Sequence, residues 1–266
     1  MLRDITLGQY YSGESWIHRL DPRVKIIATL LFIVEIFIVN SFEGFATAFA
    51  ALIIVIAASK VPLKFIMRGL KPIFLIILFT FIVNLFIVEG EILVKLWIFT
   101  ITKEGLYRAV FMAVRLILLI IGSSLLTLCT KPMSLTDGLE SLMKPFKLIG
   151  VPAHELAMMM TIALRFIPTL IEETDKIMKA QQARGADFET GNIFRRAKHL
   201  IPILVPLFIS AFRIAQDMAM AMEARCYHGG ENRTKMNGMK FAKRDAFAAF
   251  LMLLFLAVII LGRVFL

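Results

Sequence analysis

The chain has 266 residues, of which 59% are hydrophobic and 19% charged, and its mean hydropathy is +0.78. A soluble domain averages about 45–50% apolar residues, so this composition excludes an ordinary water-soluble enzyme or binding domain and calls for lipid as solvent. The net charge of +10 does not require a nucleic-acid partner, because the cytoplasmic loops of membrane proteins collect Lys and Arg.

Residues 1–23 read as a polar and aromatic lead-in without the basic-then-apolar order of a cleaved signal peptide. Asp21-Pro22 is a helix start, with Asp as cap and Pro at the first helical position. Val24 to Asn40 is a first span, apolar except for Glu35 and edged by Arg23 and Lys25. Phe42 to Ser59 is a second. A basic loop follows, carrying Lys60, Lys64, Arg68 and Lys71. Ile73 to Val88 is a third span, and Leu106 to Cys129 a fourth containing Arg108 and Arg115. The partly apolar loop at 92–101 has room for a short interfacial helix or an extra embedded segment. Ala246 to Phe265 is the fifth span. The basic loop lies on one side and the slightly acidic third-to-fourth loop on the other. The positive-inside rule then puts the N-terminus in the cytoplasm and the C-terminus outside. Residues 130–245 face the cytoplasm on this reading, with Lys235, Lys240, Lys243 and Arg244 at the mouth of the last span.

That block reads as three helical runs with no membrane-length apolar segment. Ser134 with Asp137 resembles a capping box, and Leu135, Leu139, Leu142 and Phe146 give one apolar face. Gly150 and Pro152 end that run and open a second, Ala153 to about Arg184, on the order of 45 Å long. Glu172–Lys176 and Asp175–Lys179 have i,i+4 spacing on its wet side, and Pro168 should bend it. A third run goes from about Ile193 to Tyr227, with Pro202 and Pro206 expected to kink or split it and Gly229-Gly230 to end it. The two long runs end alike: Ala180-Gln181-Gln182-Ala183-Arg184-Gly185 and Ala221-Met222-Glu223-Ala224-Arg225-Cys226. A cation at a helix end, flanked by residues too small to obstruct approach, suits docking into another protein.

Other residues are weighed against these ends. Met158, Met159 and Met160, with Met218, Met220 and Met222, are either gap-filling packing between the long helices or an adaptable contact for a partner subunit. Glu35 and Arg115 are the charges deepest in apolar spans. A structural ion pair between them is the expectation, with snorkelling as the alternative, and neither is a substrate site. His18, His154, His199 and His228 do not cluster. His154-Glu155 has no second histidine at zincin spacing, and Cys129 and Cys226 do not have metal or redox spacing. No phosphate-cradling glycine loop is present, so no catalytic residue, metal or nucleotide site is assigned to the chain.

The paired Ala-Arg ends, Arg165-Phe166-Ile167-Pro168 and the entry His18-Arg19-Leu20-Asp21-Pro22-Arg23 together resemble the transmembrane subunit of energy-coupling factor transporters, the EcfT family (CbiQ/EcfT-like), over almost the whole chain. The family pattern is Ala-Arg-Gly twice, and Cys226 replaces the second Gly. The resemblance implies an all-α polytopic membrane protein of about five transmembrane helices plus a cytoplasmic domain of amphipathic and long coupling helices. Its divisions are 1–129, 130–245 and 246–266. It also implies two ATP-binding-cassette ATPase partners, which bind the ATP and Mg that this chain does not. One or more small membrane subunits capture a vitamin or metal ion. The motif carries over to Ala183, Arg184, Gly185, Ala224, Arg225 and, as the variant position, Cys226. Two other functions compete. A stand-alone secondary transporter calls for inverted repeats with polar residues at mid-membrane, and a membrane enzyme for clustered acids or histidines near one interface.

Overall fold

In the computed structural model, residues 10–96, 99–186, 193–229 and 238–265 are described. In chain order they give α1 (Pro22–Ile38), α2 (Phe42–Ser59), α3 (Leu63–Leu70), α4 (Phe74–Ile87), β1 (Ile92–Leu96), β2 (Phe99–Thr102) and α5 (Lys103–Cys129). Then come α6 (Pro132–Met143), a 3-10 turn (Lys144–Ile149), α7 (Ala153–Ala183), α8 (Ile193–Ala224) and α9 (Lys243–Phe265). The chain divides into two compact units, one formed by residues 8–139 and 239–266 and the other chiefly by 140–238.

The first unit is built on α5, which packs against α1, α2, α3 and α4, while α9 packs against α1 and α2. Local chemistry sets the helix starts. The Asp21 carboxylate accepts from the Arg23 backbone N–H at 2.9 Å, with Pro22 at the first helical position. Ser41 caps α2 by accepting from Gly44 N–H at 3.2 Å, and Thr102 caps α5 by accepting from Gly105 N–H at 3.0 Å. The core runs through Ile36, Phe45, Leu52, Ile66, Phe111, Leu118, Leu125 and Ile259. Gly122 lets the Phe32 ring lie directly on α5, where any Cβ would collide with it. Outside that core the helices present bare hydrocarbon: Ile54, Leu75, Phe79 and Leu253 are all at least 60% exposed. Only lipid or another apolar surface makes that arrangement stable.

At the foot of α9, Asp245 is 1% exposed. Its two carboxylate oxygens accept from the backbone N–H of Asp21, at 2.7 Å, and of Ala242, at 2.8 Å. Beside it the buried Lys25 ammonium donates to the carbonyls of His18 and Cys129, both at 3.0 Å. The lead-in is held in the same way. Tyr11 N–H donates to Leu128 C=O at 2.9 Å, and His18 makes side-chain contacts of 2.6 Å to Ser15 and 3.1 Å to the Tyr11 carbonyl. Burial holds the His18 imidazole below its ordinary range, with the Tyr11 carbonyl acting in the opposite sense.

Several expectations change. The described residues of 92–102 form no helix. They are an antiparallel hairpin pairing Ile92 with Thr102 and Leu96 with Phe99, as short runs of β-branched and aromatic residues tend to do. The basic loop contains α3, bent 56° from α4. Ser134 lies inside α6, whose first turn is already closed by Leu135 N–H to Lys131 C=O at 2.9 Å, so it is not a cap. On α7 the wet-side ion pair is Glu173–Lys176, at 3.6 Å, rather than Glu172–Lys176. Pro168, Pro202 and Pro206 all lie inside unbroken helices. Helix α8 stops at Ala224, before the glycines expected to end it; Gly230 and Lys235 fall outside the described residues.

Among the described residues, five helices are long and apolar enough to cross a membrane: α2, α5, α7, α8 from Leu200, and α9. The pair α3–α4 qualifies only when taken together, and α1, with 17 residues, stands at the lower limit of about 17. Apart from the short β1–β2 hairpin, the chain is thus an all-α polytopic protein. The expectation that block 130–245 holds no membrane-length apolar segment fails by length and composition, because α7 and α8, helical across their prolines, each contain an 18-residue stretch of high mean hydropathy with at most two charged residues.

Candidate functional site

The second unit pairs α7 with α8. Gln181 donates to the Pro202 carbonyl at 3.4 Å, and Ser210 to the Glu173 carboxylate at 3.5 Å. The later residue on α7 meets the earlier one on α8, so the two helices run antiparallel. The start of α7 is tied to the end of α6, where His154 Nδ1 lies 3.1 Å from the buried Glu140 carboxylate.

The two Ala-Arg ends have the same backbone. At the first, Gly185 N–H donates to Gln182 C=O at 2.9 Å, and Ala186 N–H to Gln181 C=O at 3.0 Å. At the second, Cys226 N–H donates to Glu223 C=O at 2.8 Å, and Tyr227 N–H to Met222 C=O at 3.0 Å. Each is a Schellman close, in which a left-handed residue turns the chain back over the last carbonyls. That residue is Gly185 at φ +86° in one and Cys226 at φ +55° in the other. Glycine adopts this conformation freely, and a residue with a Cβ pays about 1–2 kcal/mol for it. Cys226 therefore keeps the geometry that a glycine would give, at a strain its neighbours must offset. Cys226→Gly should stabilise this helix end by about 1 kcal/mol, read as slower amide exchange at Tyr227. Cys226→Val should destabilise it, because β-branching is worst tolerated at positive φ.

The geometry displays the arginines. Arg184 and Arg225 are each the residue just before the left-handed turn, both are exposed, and neither pairs with a described residue. The antiparallel contacts place them at opposite ends of the pair, about 10 Å and 28 Å along the helix axes from the midpoint between the two hydrogen bonds. Ala183 and Ala224 are exposed beside them, so the approach to each guanidinium is unobstructed. A fork of five donors is then free to hold a carboxylate in a fixed orientation.

The methionines split between two surfaces. Met159 and Met220 are exposed at 55% and 60%, while Met158, Met160, Met218 and Met222 are half-buried. With Leu204, Val205, Phe208 and Phe212 on α8, all exposed, they leave the pair with far more apolar surface than it buries within itself.

Glu35 and Arg115 do not form the expected ion pair. Arg115 donates to the Val39 carbonyl at 2.8 Å, at the C-terminal end of α1, where a cation meets the helix dipole. Its guanidinium also sits 5.0 Å from the Phe111 ring centroid and 5.8 Å from that of Phe37, so cation–π attraction supplies much of its stabilisation. Glu35 is fully buried, with both carboxylate oxygens lacking a hydrogen-bond partner. It lines a largely apolar cavity of about 440 Å³ between α1, α2, α5 and α9, alongside Phe32, Leu52, Leu125 and Phe255, with Lys25 and Thr29 also in its wall. A buried polar group left unpaired costs about 1–3 kcal/mol. Glu35→Leu should raise the unfolding midpoint of the full chain in detergent; a lowered midpoint contradicts this account.

Sequence reasoning missed Asp245, hidden in a run that reads as basic, Lys243-Arg244-Asp245. An acid at a helix start was the available signal. Among the described residues no three His, Cys, Asp or Glu side chains converge as a metal site.

Comparison with known proteins places the chain in a family. The cobalt transport protein family matches residues 13–236. The energy-coupling factor transporter transmembrane protein of Thermosediminibacter oceani is 58% identical, covering 94% of both chains. That of Clostridium kluyveri is 56% identical over 99% of this chain and 98% of its own. That of Bacillus subtilis is 46% identical over 92% and 93%. With the helical membrane architecture and the twin arginine ends alongside these matches, the chain belongs to the EcfT family of energy-coupling factor transporter transmembrane proteins.

Proposed function

We propose that the chain is the coupling component of an ATP-driven importer in the cell membrane. Two partner ATPases, which bind the ATP and Mg, each grip one arginine end. At least one small membrane subunit captures a vitamin or metal ion. Hydrolysis in the ATPases displaces α7 and α8, and the captured cargo is released inward. The observation that carries the reading is the matched pair of Schellman ends, each presenting an arginine without a partner among the described residues, at opposite extremes of one antiparallel helix pair. Two identical grips pointing apart suit two like motors. The apolar excess around Met159, Phe208, Phe212 and Met220 gives the capture subunit a surface to cover, and unbranched methionines let that surface accept more than one shape.

The length and apolarity of α7 and α8 raise a second reading, that both span the bilayer. Antiparallel spans would put Arg184 and Arg225 on opposite sides of the membrane, out of reach of motors on one side. The second half of α7 also carries Glu172, Glu173, Asp175, Lys176 and Lys179, a costly group to bury in lipid. Both helices therefore belong on the cytoplasmic side, with the N-terminus inside and the C-terminus outside. An impermeant thiol reagent applied to sealed vesicles of known sidedness reads this directly. Cys226 and an introduced Ala186→Cys should label together from the cytoplasmic face; labelling from opposite faces favours the spanning reading.

The functional proposal is tested by gentle purification of the tagged full chain from its native membrane. Two nucleotide-binding proteins and a small hydrophobic protein should accompany it. A chain that arrives alone and moves solute in liposomes unaided overturns the proposal.

A further inference from the structure

We propose that α3 is a binding platform for anionic phospholipid headgroups on the leaflet it borders. The inference concerns the first unit alone and does not rest on the coupling role. Between Glu43 and Glu89 the chain has no acidic residue, yet it carries Lys60, Lys64, Arg68 and Lys71. All four cations are exposed, and none forms an ion pair with a described residue. The helix orders them. Lys64, Arg68 and Lys71 follow at i, i+4 and i+7, one row along a single face. The adjacent row is apolar and uncovered: Leu63 is 64% exposed and Met67 59%, while Ile66, at 2%, anchors the helix inward. The Arg68 guanidinium lies 5.3 Å from the Phe65 ring centroid, a cation–π contact that keeps the charge on the helix surface.

Position decides the occupant. The helix sits directly between α2, which ends at Ser59, and α4, which begins at Phe74 and is bent 56° from it. Both neighbours are built from residues suited to lipid, so α3 lies where hydrocarbon gives way to headgroups. A basic row beside an exposed apolar row is the pattern of a helix that lies in that plane. The inner surface of a membrane supplies what both rows lack: phosphate charge for Lys64, Arg68 and Lys71, and acyl carbon for Leu63 and Met67. An acidic protein surface would satisfy the cations but leave the apolar row without a reason to face the same way.

The test is a lipid titration of the purified full chain in neutral detergent, read by native mass spectrometry. Phosphatidylglycerol and phosphatidylcholine of equal chain length are compared. Each cation near an anionic surface is worth about fivefold in affinity. The wild-type chain should prefer phosphatidylglycerol by at least about tenfold, and that preference should shrink as salt rises. The triple variant Lys64→Gln, Arg68→Gln, Lys71→Gln should bind the two lipids alike. Lys64→Arg with Lys71→Arg should retain the preference, as should neutralisation of Lys240, Lys243 and Arg244. Equal binding of the two lipids by the wild-type chain overturns the proposal. So does a preference that survives the triple substitution, which would leave the patch for a protein partner.

Discussion

Arg184→Glu combined with Arg225→Glu is expected to abolish ATP-driven uptake by the assembled transporter, while the chain still inserts and folds. On the free chain each guanidinium is exposed and without an ion-pair partner among the described residues, and an exposed ion pair contributes only about 0–1 kcal/mol. Desolvated in a partner's groove opposite a carboxylate, the same side chain costs about 2–5 kcal/mol to truncate. Reversal adds repulsion to that loss. The substitutions therefore act on assembly and hardly at all on stability. Arg→Ala at a single end should weaken but not eliminate coupling, since the other grip remains. Arg→Lys should fall between, because an ammonium does not hold a carboxylate in one orientation as a planar fork does. The checks are uptake into proteoliposomes containing the full complex and the elution profile of the solubilised chain. Full uptake by the double variant contradicts the assignment, and so does failure of the chain to insert.

Asp245→Ala should produce the largest loss of stability of any single change considered. The carboxylate is 1% exposed and satisfies two backbone donors, Asp21 N–H and Ala242 N–H. Truncation strands the Asp21 donor in a buried setting, at about 1–3 kcal/mol, and the Ala242 donor in a half-buried one. One of those donors belongs to the residue that caps α1, so the damage reaches the lead-in and the entry to the first helix. Asp245→Asn keeps one carbonyl acceptor and should lose about half as much. Thermal unfolding of the full chain in detergent measures both, and an unchanged midpoint for Asp245→Ala rules out the role given to this network.

The parts of the fold legible in sequence were those fixed by local chemistry. Asp21-Pro22 announces α1, and the bounds of α2 follow from Ser41 and the abrupt polarity change at Lys60. The twin motif was legible because its features are consecutive in sequence. What escaped depends on contacts distant in sequence. The hydrogen bond from Asp21 to Asp245 joins residues 224 positions apart. The partners of Arg115, a helix-end carbonyl and aromatic rings, compete successfully with the carboxylate that charge reasoning chose for it. Helix α3 was hidden because eight residues within a basic loop give too short a pattern to separate from a turn. Pro202 and Pro206 leave α8 in one piece: a helix with room on one side accommodates the lost hydrogen bond without breaking. Cys226 is the instructive middle case. Sequence flagged the missing glycine, and the structure places the cysteine in the glycine's conformation.

The most direct test of the central claim is the affinity of a purified ATPase pair for the full chain held in nanodiscs. The wild-type chain should bind tightly, with a loss of on the order of a hundredfold or more when Arg184 and Arg225 are both replaced by alanine. Equal affinity for the two chains would contradict the claim.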